Sequence, residues 1–135
     1  MSLISWNTNL SVQIVSIDEQ HKELMRIMNE LNDAMGQGKA NDVLGNLLDE
    51  LILYTVFHFS KEEGLFDKYG YPEAVAHKEL HKLLVEKVKR FQKEFLEGAS
   101  DLSEDLMMFL KEWLLNHIVG NDKKYTPFLK AKGET

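Results

Sequence analysis

The sequence predicts an all-α protein, an antiparallel up-down-up-down four-helix bundle with an extended N-terminal arm. Three observations carry that expectation. Apolar residues recur in steps of three and four along four stretches, the connections between the stretches are short, and 135 residues is the length of one domain with a single core. The expected parts are an arm over 1–15, helices over about 17–37, 41–69, 72–97 and 103–119, and a C-terminal segment over 120–135, all in one domain.

Composition narrows the function classes. Apolar content of 44% and charged content of 28% are ordinary for a globular protein, and no apolar run approaches the roughly 18 to 20 residues that span a bilayer. No membrane contact is expected. Met1-Ser2-Leu3-Ile4-Ser5-Trp6 lacks the basic opening and long apolar stretch of a secretory signal, so a cytoplasmic location is expected. A net charge of -6 argues against a nucleic-acid surface. Cysteine is absent, which leaves His, Asp and Glu as the available metal ligands.

Within the arm, Trp6, Leu10, Val12, Ile14 and Val15 stand among Ser, Asn and Thr without a sustained helical period, as in a segment packed along the body of a domain. Ser16-Ile17-Asp18-Glu19 has the spacing of a capping box and predicts the start of the first helix. His21, Leu24, Met28, Leu31 and Met35 form its stripe, stopped by Gly36 and Gly38. The second helix, with Asn41 as its expected cap, has Leu44, Leu47, Leu51, Thr55, His58 and Glu62 facing inward and ends at Gly70-Tyr71-Pro72, where the proline suits the first turn of a successor. That successor carries His77, His81, Leu84, Val88, Phe91 and Phe95 and ends at Gly98. Ser100, Asp101, Ser103 and Glu104 offer caps for a fourth helix with Leu106, Leu110, Trp113 and His117 on its stripe. Gly120 is expected to interrupt it, Pro127 to discourage further helix, and residues 130–135 to fray.

All five histidines fall on inward stripes, and direction brings them to one level. In an antiparallel bundle the starts of the first and third helices lie beside the ends of the second and fourth. His21, His77 and His81 are near starts; His58, Glu62, His117 and Asp122 are near ends. If inward positions are about three in seven of a bundle helix, chance puts five histidines inward only about once in seventy. Burying them with Glu62 is costly unless they are paired, and a cation removes that objection. Asp122 is five residues beyond His117, about 140° around a regular helix, so the two share a site only if the helix ends or widens between them.

Five imidazoles and two carboxylates exceed the needs of one tetrahedral ion and suit two first-row metals bridged by carboxylates. Two six-coordinate ions offer about twelve positions. With Glu62 and Asp122 bridging, the histidines bound and a solvent-derived oxygen shared, about eleven are filled and one is open to a small molecule.

The set His21, His58-x-x-x-Glu62, His77-x-x-x-His81 and His117-x-x-x-x-Asp122 resembles the hemerythrin family, specifically the single-domain bacteriohemerythrins. The likeness extends over nearly the whole chain, through Trp6, Ile17-Asp18-Glu19-Gln20-His21, Glu62-Glu63 and Trp113-Leu114-Leu115-Asn116-His117-Ile118. One departure is Gln13, where such arms usually have glycine after Ser-Val. The resemblance implies two iron ions (Fe2+/Fe3+) with an oxo or hydroxo bridge. One iron would take His77, His81 and His117, the other His21 and His58 and the vacant position, with Glu62 and Asp122 bridging. It further implies reversible binding of dioxygen as a hydroperoxide at the vacancy, or of a small anion there. Leu24, Phe59, Trp113, Leu114 and Ile118 correspond to the lining of the oxygen pocket, although plain core packing describes them equally well. Tyr125 is a candidate neighbour of the ligands, with core packing its alternative.

The leading functional expectation is therefore a dioxygen-binding protein for carriage, storage or delivery, and not an enzyme. Its partners would be dioxygen and an electron donor or oxygen-consuming protein. The rival readings are a di-iron enzyme reducing peroxide, nitric oxide or dioxygen, and a sensor acting through a separate partner. Histidine-rich ligation favours the first, because oxygen-activating bundle sites use more carboxylate.

Overall fold

The computed structural model describes residues 4–38, 41–97 and 102–135. The regular elements among those residues are helices, with no strand: α1 spans Val15–Gly36, α2 Asn41–Tyr69, α3 Ala74–Leu96, α4 Leu102–Asn116 and α5 Lys123–Ala131. Consecutive helices pack on each other and α4 closes back onto α1, forming a four-helix bundle. No described helix is long and apolar enough to cross a membrane.

The inward stripes supply one continuous core. Leu24, Met28 and Leu31 of α1, Leu48 and Leu51 of α2, Leu84 and Val88 of α3, and Leu106 and Leu110 of α4 are all buried. Each such side chain contributes about 1.5–3 kcal/mol relative to exposure. On α2 the stripe passes through Leu48, while the expected Leu47 is only partly buried beside it. The other expected core positions of α2 and α3 are at least partly buried.

Helix ends follow local chemistry that the sequence reading placed differently. No side chain caps α1, and Ser16 lies inside it. The expected capping box of Ser16 and Glu19 does not form because the helix already starts at Val15, after Ile14, and it is Asp18 that ties the start to the arm, accepting from Val12 N at 2.8 Å and from the Ser11 hydroxyl. At the end of α2, Gly70 adopts φ +69° and Tyr71 N reaches back to Phe66 O at 3.0 Å, a six-to-one closure that only a left-handed residue permits. Pro72 belongs to the following turn and not to α3, which starts after Glu73. The expected caps Asn41, Ser100, Asp101, Ser103 and Glu104 and the stop at Gly98 lie outside the residues or side chains described.

Arm and tail are fastened together. Ile4, Leu10, Val12 and Ile14 of the arm are buried, with a short 3-10 turn at Thr8–Leu10 between them. Thr126 Oγ1 donates to Val12 O and Lys130 Nζ to Gln13 O, both at 2.8 Å, and Val15 N donates to Thr135 O at 3.0 Å. The Tyr69 hydroxyl donates to Glu134 at 2.9 Å. The last residues are thus tied down where fraying was expected.

The fourth helix does not break at Gly120. Residues His117–Asp122 form a π turn between α4 and α5, and the flanking Asn116 and Lys123 keep helical angles. Pro127 is accommodated inside α5 on an exposed face, where solvent can take the carbonyl that its missing N–H leaves free. Gly120 is not called on for its special conformations: its φ is not left-handed, and a Cβ there would meet nothing within 4 Å.

Candidate metal centre

Each element delivers its polar side chains because they continue its apolar stripe. His21 follows from α1, His58 and Glu62 from one face of α2 a turn apart, His77 and His81 from α3, and His117 and Asp122 from the π turn. All seven are buried, with Glu62 and Asp122 fully inaccessible. The π turn is what lets the last two meet. In a regular helix positions five apart diverge, whereas the wider turn aligns them, and His117 Nε2 stands 3.0 Å from Asp122 Oδ1.

The two carboxylates sit at the middle of the cluster. Glu62 Oε1 is 2.6 Å from His58 Nε2 and 3.5 Å from His21 Nε2, and Oε2 is 3.2 Å from His77 Nε2 and 3.4 Å from His81 Nε2. Asp122 Oδ1 is 3.0 Å from His77 Nε2, and Oδ2 is 3.1 Å from His21 Nε2. The donors form two overlapping groups, each with ligand atoms within 4.8 Å of one another: Glu62, His77, His81, His117 and Asp122; and His21, His58, Glu62 and Asp122.

Electrostatics shows how much this cluster holds. Burial disfavours charge on the carboxylates, yet the surrounding imidazoles outweigh it and hold both Glu62 and Asp122 well below the usual carboxylate range. Burial likewise opposes charge on His21 and His77, but Asp122 and Glu62 together raise each to about 9. Even so, both oxygens of each carboxylate and the Nε2 atoms of His21, His77, His81 and His117 lack a hydrogen bond of regular geometry. A buried polar atom left in that condition costs about 1–3 kcal/mol. Lone pairs so concentrated are the donor chemistry of a cation site, and hard oxygens with imidazole nitrogens suit first-row metals.

Neighbours the sequence reading did not assign aim the rings. His58 Nδ1 lies 2.7 Å from Gln20 Oε1, and His81 Nδ1 lies 3.0 Å from Glu63 Oε2, which turns both Nε2 atoms inward. Phe66 packs edge-on against His77 with centroids 4.9 Å apart. The signal for Gln20 and Glu63 was their position beside His21 and Glu62, but pairing across helices cannot be read from a single stripe.

Leu24, Phe59, Leu114 and Ile118 are buried, and Trp113 is half-buried. Phe59 stacks on His81 at 3.7 Å with 2° between the planes, Trp113 stacks on His117 at 4.4 Å, and the Phe59 and Trp113 rings are 5.8 Å apart. Tyr125 is fully buried with its hydroxyl lacking a regular hydrogen bond. Burial, then the charges of Glu62 and Asp122, push that hydroxyl well above its usual pKa.

Known proteins resemble this chain in sequence and fold. Residues 12–129 match the hemerythrin HHE cation binding domain. The chain is 35% identical to a bacteriohemerythrin of Stenotrophomonas maltophilia, over 97% of this chain and 84% of that one. It is 36% identical to the bacteriohemerythrin of Methylococcus capsulatus, over 97% and 100% respectively. The wild-type hemerythrin crystal structure superposes with a TM-score of 0.84 at 36% identity, covering 95% of this chain and 98% of that one. The fold, the length of the match and the buried His/Glu/Asp cluster agree: this chain belongs to the hemerythrin family.

Proposed function

We propose that this chain binds dioxygen reversibly at a non-haem di-iron centre and serves as a carrier, store or source of it, not as an enzyme. The observation that carries the reading is the sharing of Glu62 and Asp122 between the two donor groups. His77, His81 and His117 would hold one iron and His21 and His58 the other, with both carboxylates bridging. The second group has one nitrogen donor fewer, which leaves it the room for a small ligand. Ferrous ions bound there would supply the two electrons that dioxygen takes up on binding and returns on release.

The chain's own residues favour return over turnover. Leu24, Phe59, Leu114 and Ile118 exclude water from the region, limiting the protons that would drive irreversible reduction. Gln20 and Glu63 keep the rings of His58 and His81 oriented, and Tyr125 stands ready to donate to a bridging carboxylate. Anaerobic titration with ferrous iron tests the ligand assignment. The chain should saturate at about two irons, and Glu62→Ala should lose the paired site; two tightly held irons with an unchanged spectrum in that variant would overturn it.

A further inference from the structure

Gln20 and Glu63 aim their rings with different chemistry. Each accepts the Nδ1–H of an imidazole whose Nε2 faces the cluster: Gln20 Oε1 lies 2.7 Å from His58 Nδ1, and Glu63 Oε2 lies 3.0 Å from His81 Nδ1. One acceptor is a neutral amide and the other a carboxylate. The two rings also belong to different donor groups, His81 to that of His77 and His117, His58 to that of His21. His21 Nδ1 has no hydrogen-bond partner among the described residues. Neither ring of the second group is therefore backed by a charged acceptor among those residues, whereas His81 of the first group is.

The difference acts through the ring. A carboxylate that takes the Nδ1–H does so in a charge-assisted bond, about twice as strong as a neutral one, and pushes electron density onto the imidazole. Nε2 then becomes the stronger donor to a cation. An amide fixes the ring without that push. Glu63 is about one-third exposed on the wall of the groove between α2 and α3, so solvent screens its charge from the cluster at large. What remains is local, carried by the one hydrogen bond to His81.

Resting on the two-metal reading above, we infer that Glu63 and Gln20 make the two metal positions unequal. The charge of Glu63, passed through His81, makes the position of His77, His81 and His117 the tighter one and the first to fill. Gln20 aims His58 without strengthening it and keeps the position of His21 and His58 the looser. Both are positioning residues that act through a ring and belong to neither donor group. The weaker donor set is the one with room for a small ligand, which leaves its ion the more open to a further donor.

The test titrates the metal-free chain with Co2+ under argon against a chromophoric chelator, which reads the two affinities separately. The unaltered chain should take its first ion at least about tenfold more tightly than its second. Glu63→Gln keeps an acceptor oxygen for His81 and removes the charge; it should weaken the first ion and narrow the gap about tenfold. Gln20→Glu gives His58 the same charge and should narrow the gap by strengthening the second ion, a gain that a damaged fold cannot produce. Glu79→Gln, which removes an exposed carboxylate from the same groove, should leave both affinities as they are. Unchanged affinities in Glu63→Gln would show that the acceptor matters for aim alone and overturn the inference. Equal narrowing by Glu79→Gln, or no gain in Gln20→Glu, would overturn it as well. Binding of a single ion by the unaltered chain would instead remove the two-metal reading, and the stoichiometry tells the two failures apart.

Discussion

His117 and Asp122 face one point from positions five apart, with Nε2 and Oδ1 separated by 3.0 Å. The π turn that achieves this contains Gly120, but nothing about that residue's angles or surroundings demands glycine. Gly120→Ala should therefore keep metal stoichiometry and hold or raise stability, by up to about 1 kcal/mol from helix propensity. Denaturant melts with metal analysis check this; a variant that no longer binds metal would show that glycine's freedom is needed to form the turn.

Gln13 sits at φ +61°, a conformation costly for a residue with a Cβ, between two fixed hydrogen bonds: its N–H donates to Ser11 Oγ and its carbonyl accepts from Lys130. The backbone here favours glycine, the residue that the family resemblance leads one to expect at this position. Gln13→Gly should stabilise the chain by roughly 0.5–1 kcal/mol, and Gln13→Ala should not. Urea unfolding of the two variants separates backbone relief from loss of the glutamine side chain.

Tyr125 buries a hydroxyl that has no regular partner. Tyr125→Phe should raise the stability of the metal-free chain by about 1 kcal/mol, since an unmet polar group is removed. The iron-loaded chain should gain less or lose stability, because there the hydroxyl would donate to a bridging carboxylate. Equal shifts in Tm with and without iron would contradict that role.

The titrating groups predict opposite limits for the metal-free chain. His21 and His77, raised to about 9, contribute stability that is complete below their unfolded pKa of about 6.5 and lost as pH rises through 9. Glu62 and Asp122, depressed, contribute above their unfolded values near 4 and lose it as pH falls further. Thermal stability without metal should therefore decline from about pH 6.5 to 9. Metal must displace protons from His21 and His77, so its affinity should rise across the same window, with protons released in calorimetry. A flat profile over that range would contradict the pairing of these histidines with the carboxylates.

The bundle and the meeting place of its polar side chains were legible because both follow from stripe spacing and helix direction. His58 and Glu62 continue the line of Leu51 and Thr55, so placing the core placed them too. What escaped was set by contacts between elements. Ser16 and Glu19 have the spacing of a capping box, but the helix starts one residue earlier, where the arm bonds to Asp18 through Val12 and Ser11. Pro127 reads as a helix breaker, yet the helix absorbs it on an exposed face, and the tail reads as loose until Glu134 and Thr135 find Tyr69 and Val15. Gln20 and Glu63 are ordinary polar residues on their own helices and acquire a role only from the rings across the interface.

Reversibility is the central claim, and the most direct measurement is the optical spectrum of the anaerobic di-ferrous chain through repeated cycles of dioxygen and argon. A visible charge-transfer band that appears with dioxygen and fades to the colourless state under argon, cycle after cycle and at two irons per chain, is the predicted result. Immediate and lasting conversion to the ferric state on the first addition, with no band recovered by reduction and re-exposure, would contradict it.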